Sequence, residues 1–325
     1  MYKVLVTGAG ALLGQGIIRS LAKSSLPLEI IAVDPSPLAA GLYWARRGII
    51  IRMASDPRFL EGFEAVLDAE RPDIVFVGTD VELPILARNR DRLAQAYGAA
   101  IVVSSERVVE IANDKYLTSR FLRDNGFDAP DSCLAGEEGD FIERYGFPLV
   151  VKPRIGARSV GVRVVGNRDE LRQALSQQAN AVIQECVGTE SEEYTAGTIT
   201  FDGKCEASIV MRRDLRDGNT YRAFVEEFGA LNDTVRRMAE VLGAFGPANF
   251  QFRLQSGRVR VFEINARFSG TTPLRTLAGF PEVEMVLRRV LESEPVRQPE
   301  VRPLVILRHW SEIAVEPGRL IGAGG

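Results

Sequence analysis

Two neighbouring stretches in the last third of the chain, ANFQFRLQ and RVRVFEINARF, alternate polar and apolar side chains. Successive side chains of a strand point to opposite faces, so Glu263, Asn265 and Arg267 would share one face. If the Ser-Gly-Arg sequence between the stretches forms a turn, Gln251 lies opposite Glu263 and Asn249 opposite Asn265. Oxygens of Glu, Asn and Gln suit Mg²⁺, and a neighbouring Arg can neutralise the charge of a transferring phosphoryl group.

The same alternation assigns the other side chains of the second stretch. Val259 and Val261 would lie on the polar face, and Phe262 and Ile264 on the opposite face, which suits packing. A solvated edge hairpin would also alternate. Solvent-facing strands favour mixed Lys, Glu and Thr, however, so this set of carboxamides, Glu and Arg favours a binding site.

The composition of the 325-residue chain narrows the function classes. A hydrophobic content of 46% allows a large core in two or three subdomains, and a net charge of −3 provides no cationic surface for nucleic acid or an anionic membrane. The cysteines have no CxxC spacing, which argues against a disulfide framework or a zinc site. The first residues lack the order of a signal peptide and no apolar run reaches membrane-spanning length, so we expect a soluble cytoplasmic protein.

The elements that would position the polar face fall into two kinds. Over about the first hundred residues, short apolar strands such as Tyr2–Thr7, Ile30–Val33 and Ile74–Val77 alternate with helices, which predicts a small doubly wound domain with a parallel sheet. From Ser105 onward, helices, strands and Gly-containing loops follow in mixed order. The tail from Glu292 to Gly325 is rich in Pro and Gly and gives little indication of structure.

Glycines follow the first strand at Gly8, Gly10 and Gly14, and Asp34 ends the next strand. Such glycines can admit a dinucleotide pyrophosphate, and an acid at this distance can bind ribose. The spacing is GxGxxxG rather than GxGxxG, and no tyrosine is followed four residues later by the lysine of a short-chain dehydrogenase. A tight turn without a cofactor is therefore favoured, and a nicotinamide site stays open as an alternative.

A resemblance to the metal-binding core of ATP-grasp enzymes extends over GPANFQFRLQSGRVRVFEINARFSGTT. The segment resembles in particular halves of the carbamoyl-phosphate synthetase large subunit and similar stand-alone ligases. The resemblance implies that Gln251, Glu263 and Asn265 coordinate Mg²⁺, and that Arg267 and Ser269 lie near the phosphates of ATP.

Upstream segments follow the order of the same family. Lys115 in NDKYLTSRFLRDNGFDAP and Lys152 in FPLVVKPRIGARSVGV match the two basic positions beside the nucleotide. The loop Gly156–Gly161 matches the phosphate-covering loop, although Ala157 and Val160 stand where relatives are often richer in glycine or polar residues. The resemblance therefore implies a nucleotide contact at Gly156.

The sequence VIQECVGTESEEYTAGTI resembles the adenine hinge of the family. Glu185 and the backbone of Cys186 and Val187 would meet the adenine edge, and Glu193 would bind the ribose hydroxyls. Two extra residues precede Glu193, so Glu192 is a rival for that role.

The amino-terminal domain also resembles that of the family, in which the Gly-rich turn faces the acceptor side without binding a dinucleotide. Asp80 and Glu82 lie where a strand ends, and open α/β sheets bind ligands at such ends. A helix N-cap would explain Asp80 equally well.

These features predict a mixed α/β and α+β fold in three units. They are an amino-terminal doubly wound domain (1–110), an ATP-grasp subdomain (111–187) and a second ATP-grasp subdomain that carries the metal site (188–325). The sheets of the two ATP-grasp subdomains would clamp ATP between them.

The resemblance implies an ATP-dependent ligase with ATP and Mg²⁺ as cofactors and a small-molecule carboxylate and amine as partners. Activation would form an acyl phosphate and ADP, with Arg267 and either Arg212 or Arg213 holding the phosphoryl group and the substrate carboxylate. A homodimer is one open assembly. The alternatives are a NAD(P)-dependent oxidoreductase that uses the Gly8–Gly14 turn and an ATP-binding regulatory module without ligase activity.

Overall fold

The computed structural model describes residues 1–156 and 159–321 and folds them around three sheets. The five strands of the first sheet are β1 (Tyr2–Val6), β2 (Leu28–Asp34), β3 (Arg47–Ile50), β4 (Ile74–Phe76) and β5 (Ala100–Val102). Its three helices are α1 (Leu12–Leu21), α2 (Phe59–Glu70) and α3 (Leu83–Tyr97). The strands pair in parallel in the order β3-β2-β1-β4-β5, so the chain reverses its winding beside β1 and the loops after β1 and β4 open on one crevice.

Two helices lead from this domain to the second sheet, α4 (Glu106–Asn113) and α5 (Lys115–Asp124). The second sheet is antiparallel and has the order β6-β9-β7-β8, with β6 (Ser132–Leu134), β7 (Leu149–Pro153), β8 (Arg163–Val165) and β9 (Ala181–Glu185). Helices α6 (Glu138–Tyr145) and α7 (Arg168–Ser176) pack on one face through an apolar cluster. The other face carries Val150, Lys152 and Gln184 toward the third sheet.

The third sheet has six antiparallel strands in the order β14-β13-β10-β11-β12-β15. The strands are β10 (Glu193–Phe201), β11 (Lys204–Arg216), β12 (Asn219–Val225), β13 (Gly246–Gln255), β14 (Arg258–Asn265) and β15 (Leu304–Leu307). Its helices are α8 (Gly229–Leu242), α9 (Thr272–Leu277) and α10 (Glu282–Leu291). The doubly wound domain and the antiparallel sheets confirm the predicted fold class.

One face of the third sheet is polar at one end of its strands and apolar at the other. Along β10, Glu193 and Thr195 share this face with Ile199 and Phe201. The apolar end packs against the first domain in one core cluster. The second sheet covers the polar end. A polar site therefore lies between the second and third sheets.

The opposite face of the third sheet packs on α4, α5 and α8. Val108 and Leu122 belong to this core, so α4 and α5 are packed with the third sheet although the predicted boundary assigns most of this segment to the second unit. The residue boundaries predicted for the three units stay predictions.

Two local features differ from the sequence-based expectations. Leu304–Leu307, in the Pro- and Gly-rich tail, forms the edge strand β15 and pairs with β12. A bulge at Phe262 shifts the register of β14 by one residue, which turns Val259 and Val261 into the core and Phe262 toward the second sheet. The face assignment predicted for these three residues is therefore wrong, because an inserted residue reverses the alternation.

Among the described residues, no helix has the length and apolar character needed to cross a membrane.

Candidate active site

The hairpin of β13 and β14 brings the predicted oxygen ligands together. Gln251 pairs with Glu263 and Asn249 with Asn265, as the alternation predicted. The turn has two residues with positive φ, Ser256 and Gly257, rather than three. The bulge at Phe262 supplies the missing residue, so the predicted pairs form despite the shorter turn.

Glu263 is the centre of a carboxamide cluster. Its Oε1 accepts a hydrogen bond from Gln251 Nε2 at 2.9 Å and from Asn265 Nδ2 at 2.9 Å. Both carboxamide oxygens accept from arginines instead: Gln251 from Arg213 at 2.6 Å and Asn265 from Arg267 at 3.0 Å. Three oxygen-bearing side chains thus meet at one point, and rotation of the two carboxamides would expose their oxygens beside the carboxylate.

These three side chains fit Mg²⁺ as a partial set of ligands. No cluster of three or more His, Cys, Asp or Glu side chains that could hold a metal occurs in residues 1–156 and 159–321. One carboxylate and two carboxamides can hold Mg²⁺ when other oxygens, such as those of phosphates, complete the octahedron. Glu263, Gln251 and Asn265 are therefore the residues that would hold the ion.

A buried ion-pair network lies next to the carboxamide cluster. Arg213 donates to Glu193 Oε1 at 2.8 Å, and Arg253 donates to Glu193 Oε2 at 2.9 and 3.0 Å. Glu193 and Arg213 are 4% and 6% exposed, so their charges are held by each other rather than by water. Arg213 bridges Glu193 to Gln251 and thereby fixes the position of the cluster.

Lys152 reaches across from β7 to the third sheet. Its Nζ donates to Gln184 Oε1 at 2.7 Å and to the carbonyl of Phe262 at 3.2 Å. Burial lowers the pKa of Lys152 to about 7; Glu263 opposes this shift and the charge of Lys115 adds to it. A polyanion bound here would restore the charged form.

Lys115 lies at the start of α5 and donates from Nζ to the carbonyl of Gly156 at 2.7 Å. The preceding Asp114 caps α5 and accepts from Arg154, which joins the helix to the strand that carries Lys152. Ala157 and Arg158 of the predicted phosphate-covering loop lie outside the described residues. The two lysines therefore reach the same region from different elements.

These side chains enclose a cavity of about 300 Å³ between the second and third sheets, the lysine cleft. It is lined by predicted site residues from both sheets: Lys115, Lys152, Gly156, Glu185, Cys186, Val187, Glu193, Gln251 and Glu263. Phe262 provides an apolar patch in its wall. Glu185 is paired with Arg260 at 2.6 Å, so its carboxylate is held at the edge of the cleft.

A second cavity of about 550 Å³, the arginine cavity, lies between the third sheet and the loops after β1 and β4. Arg213, Gln251 and Glu263 line both cavities. Arg267 donates to both carboxylate oxygens of Asp80 at 2.6 and 2.9 Å. Burial acts to raise the pKa of Asp80, but Arg267 outweighs it and holds that pKa below its usual value.

Two family models match this arrangement along the chain. A RimK-like ATP-grasp domain matches residues 112–239, and a model described as ATP-grasp in the biosynthetic pathway with Ter operon matches residues 181–313. Together the two models cover residues 112–313, and in this region the chain carries an ATP-grasp domain. The class predicted from the sequence, an ATP-grasp ligase with a resemblance to part of the carbamoyl-phosphate synthetase large subunit, is confirmed at the level of the family.

Individual relatives of this ATP-grasp protein are distant. The carbamoyl phosphate synthase large chain of Campylobacter jejuni is 24% identical over 315 residues, which cover 88% of this chain and 28% of that protein. The chain thus spans less than a third of this relative. The N5-carboxyaminoimidazole synthetase of Staphylococcus aureus in complex with ADP has a TM-score of 0.76 at 16% identity, covering 94% of this chain and 82% of that one. The L-amino acid ligase of Bacillus licheniformis has a TM-score of 0.68 at 18% identity, covering 93% and 78%.

The Gly-rich turn of this ATP-grasp protein packs against its own backbone. A Cβ at Gly14 would lie 2.2 Å from the carbonyl oxygen of Gly8. Asp34, the candidate ribose ligand of a dinucleotide site, accepts from the Gly10 N–H at 2.7 Å and from the Ser36 N–H at 2.9 Å. These bonds use the carboxylate to hold the turn, which supports the interpretation as a structural turn.

Asp80 and Glu82 have different environments in the ATP-grasp protein. The carboxylate of Asp80 accepts a hydrogen bond from Arg267. The start of α3 has no side-chain cap, so Asp80 does not act as the helix N-cap. Glu82 is buried and accepts a hydrogen bond from Thr7. Burial raises the pKa of Glu82 to about 7; the Thr7 hydrogen bond opposes this and Asp34 adds to it.

The predicted site residue Arg212 and Glu192, the rival of Glu193, are not brought to the ATP-grasp site. Arg212 points to the opposite face of β11 from Arg213, and its guanidinium stacks 3.7 Å from the ring centre of Phe224. Glu192 is exposed in a short helical turn, whereas Glu193 lines the lysine cleft. Sequence analysis missed Gln184, the partner of Lys152, because that contact joins positions 32 residues apart.

Binding of Mg·ATP at pH 8 is expected to take up a proton at Lys152. At this pH the ligand-free side chain is mostly neutral, since its pKa is about 7, and the triphosphate favours the charged form. Calorimetric titrations in two buffers of different ionisation enthalpy should therefore give different apparent enthalpies, corresponding to uptake of up to about one proton. Lys152→Met should remove the difference, and equal enthalpies in both buffers for the wild type would contradict the assignment.

The lowered pKa of Lys152 also makes the folding stability of the ligand-free protein depend on pH. Between the folded pKa of about 7 and the unfolded value of 10.5, the unfolded chain binds the proton that folded Lys152 lacks. The contribution of this group to folding stability therefore rises with pH across that window.

Proposed function

We propose that the chain is an ATP-dependent ligase that activates a carboxylate as an acyl phosphate and transfers the acyl group to an amine. The observation that carries this proposal is the junction of the two cavities. Arg213, Gln251 and Glu263 line both the lysine cleft and the arginine cavity. A γ-phosphoryl group at this junction would face a carboxylate bound in the arginine cavity.

The protein's own groups have distinct tasks in this reaction. Lys115 and Lys152 hold phosphate oxygens, and Arg213 neutralises charge at the junction from a position fixed by Glu193. Mg²⁺ held by Glu263, Gln251 and Asn265 would add charge neutralisation at the phosphates. The substrate carboxylate oxygen bonds to the γ-phosphorus as ADP leaves; the amine then attacks the carbonyl carbon, loses a proton and releases phosphate.

Covalent catalysis by a cysteine is disfavoured by the surroundings of the thiols. Cys133 and Cys205 are buried. Burial raises the pKa of Cys133 to about 12 and also raises that of Cys205. Because the thiolate is the nucleophile, these two side chains are poor candidates for covalent catalysis.

The product distribution tests the ligase proposal. In a co-substrate screen with amino acids offered both as acids and as amines, we expect the correct acid with Mg·ATP to release ADP and phosphate. Hydroxylamine in place of the amine should trap the acyl phosphate as a hydroxamate. AMP and pyrophosphate as stoichiometric products would instead indicate an acyl adenylate and would refute the proposed mechanism.

Nucleotide choice separates this proposal from the oxidoreductase alternative. Mg·ATP should raise the melting temperature, because the lysine cleft offers two cations and an apolar patch, whereas NAD and NADP should not. Stabilisation by NAD(P) without an effect of ATP would contradict the ligase proposal and favour the oxidoreductase alternative. Stabilisation by ATP without ADP release from any pair in the screen would favour the regulatory module.

A further inference from the structure

Arg308 contributes a guanidinium to the wall of the arginine cavity, just after β15. Its Nη2 donates to the carbonyl of Gly270. Its Nη1 is shielded from solvent and has no hydrogen-bond partner within the described part of the chain. A buried donor without a partner is unfavourable, and more so when it carries charge, so a ligand group that reached this nitrogen would be stabilised by it.

The other two arginines of this cavity are already paired. Arg213 is held by Glu193 and Arg267 by Asp80. No salt bridge of Arg308 occurs among residues 1–156 and 159–321. Burial, followed by the like charge of Arg19, lowers the pKa of Arg308, so its surroundings disfavour the charge that a bound anion would stabilise.

The wall near Arg308 adds a second feature that suits an anion. Ala11 and Leu12, at the amino-terminal end of α1, line the same cavity. This ten-residue helix has no acidic residue in its first turn and no side-chain cap, and Asp34, which accepts from the N–H of Gly10 just before the helix, compensates its partial positive charge only in part. Gly270 lies between this helix end and Arg308, since a Cβ at Gly270 would be 3.0 Å from the Leu12 side chain.

We propose that Arg308 binds a non-reacting carboxylate of the substrate in the arginine cavity. The reacting group must lie at the junction formed by Gln251 and Glu263, which Arg308 does not join. The substrate class is therefore one that carries a carboxylate in addition to its reacting group, such as an amino acid or a dicarboxylic acid. This inference rests on the proposed function in that a substrate of the ligase occupies the cavity.

A carboxylate suits the site better than a phosphate. Arg308 offers one unpartnered nitrogen and a single half-buried charge, and Arg19, the nearby second cation, is exposed. One carboxylate matches that single charge, whereas a dianionic phosphate is usually held by more cations and backbone N–H groups.

Ligand binding in the presence of Mg·ADP tests this inference without turnover. The probes are succinate, glutarate, L-aspartate, L-glutamate and L-alanine, each with its carboxamide analogue, together with inorganic phosphate. We expect at least one carboxylate to raise the melting temperature of the wild type and its carboxamide to fail. Arg308→Gln should weaken that binding roughly 10- to 100-fold, because a charge-assisted hydrogen bond is lost.

Two further variants keep the result interpretable. Arg308→Lys retains the charge without the planar fork and should bind with intermediate affinity. Arg302→Gln removes an exposed arginine of the same tail, whose side chain donates to the carbonyl of Leu277, and should bind like the wild type. If Arg308→Gln does not fold, the comparison of Arg308→Lys with the wild type decides.

The outcomes separate this inference from the ligase proposal. Equal carboxylate binding by Arg308→Gln and the wild type, no binding of any carboxylate by the wild type, or stabilisation by phosphate alone would each overturn the role of Arg308. A carboxylate that binds through Arg308 without ADP release from any substrate pair would contradict the ligase proposal and leave the anion site standing.

Discussion

Glu263→Gln is expected to abolish ADP release while the protein remains folded. The substitution removes one negative charge at nearly constant shape, from the point where the carboxamides of Gln251 and Asn265 converge at 2.9 Å. Without that carboxylate, the oxygen ligands that remain are neutral, and a hard cation loses its strongest protein ligand. We expect turnover to fall by about 10²-fold or more, as when a group that stabilises transition-state charge is removed.

The measurement is ADP release with the substrate pair found in the screen, together with melting curves. Glu206→Gln is a matched control, because Glu206 lies on β11 and pairs with the exposed Lys204. That variant should retain activity, and the wild type should lose activity in EDTA. Full activity of Glu263→Gln would show that the polar face is an ordinary surface.

The central hairpin could be predicted because its signals are local. Alternation of polar and apolar residues and a Ser-Gly sequence are properties of adjacent positions, and they predict the hairpin. The pair of Gln251 and Glu263 was predicted from a three-residue turn, and it forms because the bulge at Phe262 makes up for the shorter turn. The bulge has no such signal. Whether residue 262 is paired or inserted depends on how β14 packs against α4 and α5, so Phe262 was assigned to the wrong face.

The partners of the site residues could not be predicted for a different reason. Glu193 is held by Arg213 and Arg253, which lie 20 and 60 residues away in sequence. The pairing of Arg267 with Asp80 joins residues 187 apart and in different domains. Sequence spacing says nothing about such contacts, since they exist only once the sheets are packed.

These pairings give two predicted site residues a structural role beside the one that the resemblance implies. Arg267 was predicted to hold a phosphoryl group, but both of its bonds to Asp80 tie the third sheet to the loop after β4. Glu193 was predicted to bind ribose, yet both of its oxygens accept from arginines. Each side chain can still contact a ligand at the edge of its cavity, but its first effect is to position the cavity wall.

Asn249 is a similar case and leads to a stability prediction. It lies on the predicted polar face opposite Asn265, but its Oδ1 accepts from Arg275 at 2.5 Å. Arg275 also donates to both oxygens of Glu282 at 3.2 Å, and both charged side chains are 1% exposed. Gly197 leaves the space for this guanidinium, since a Cβ there would lie 2.4 Å from Arg275 Nη1.

Arg275→Met is expected to reduce the free energy of unfolding by about 3–5 kcal/mol, because it leaves the carboxylate of Glu282 buried without its partner. Arg289→Met provides the matched control: Arg289 pairs with Asp202, whose side chain is 83% exposed, and its loss should change stability by less than about 1 kcal/mol. The double variant Arg275→Met/Glu282→Leu should lose less than Arg275→Met alone, because no uncompensated charge remains. Denaturant unfolding of the three variants and the wild type measures these differences. A loss in Arg275→Met no greater than that in Arg289→Met would show that the buried pair does not hold α9 and α10 to the third sheet.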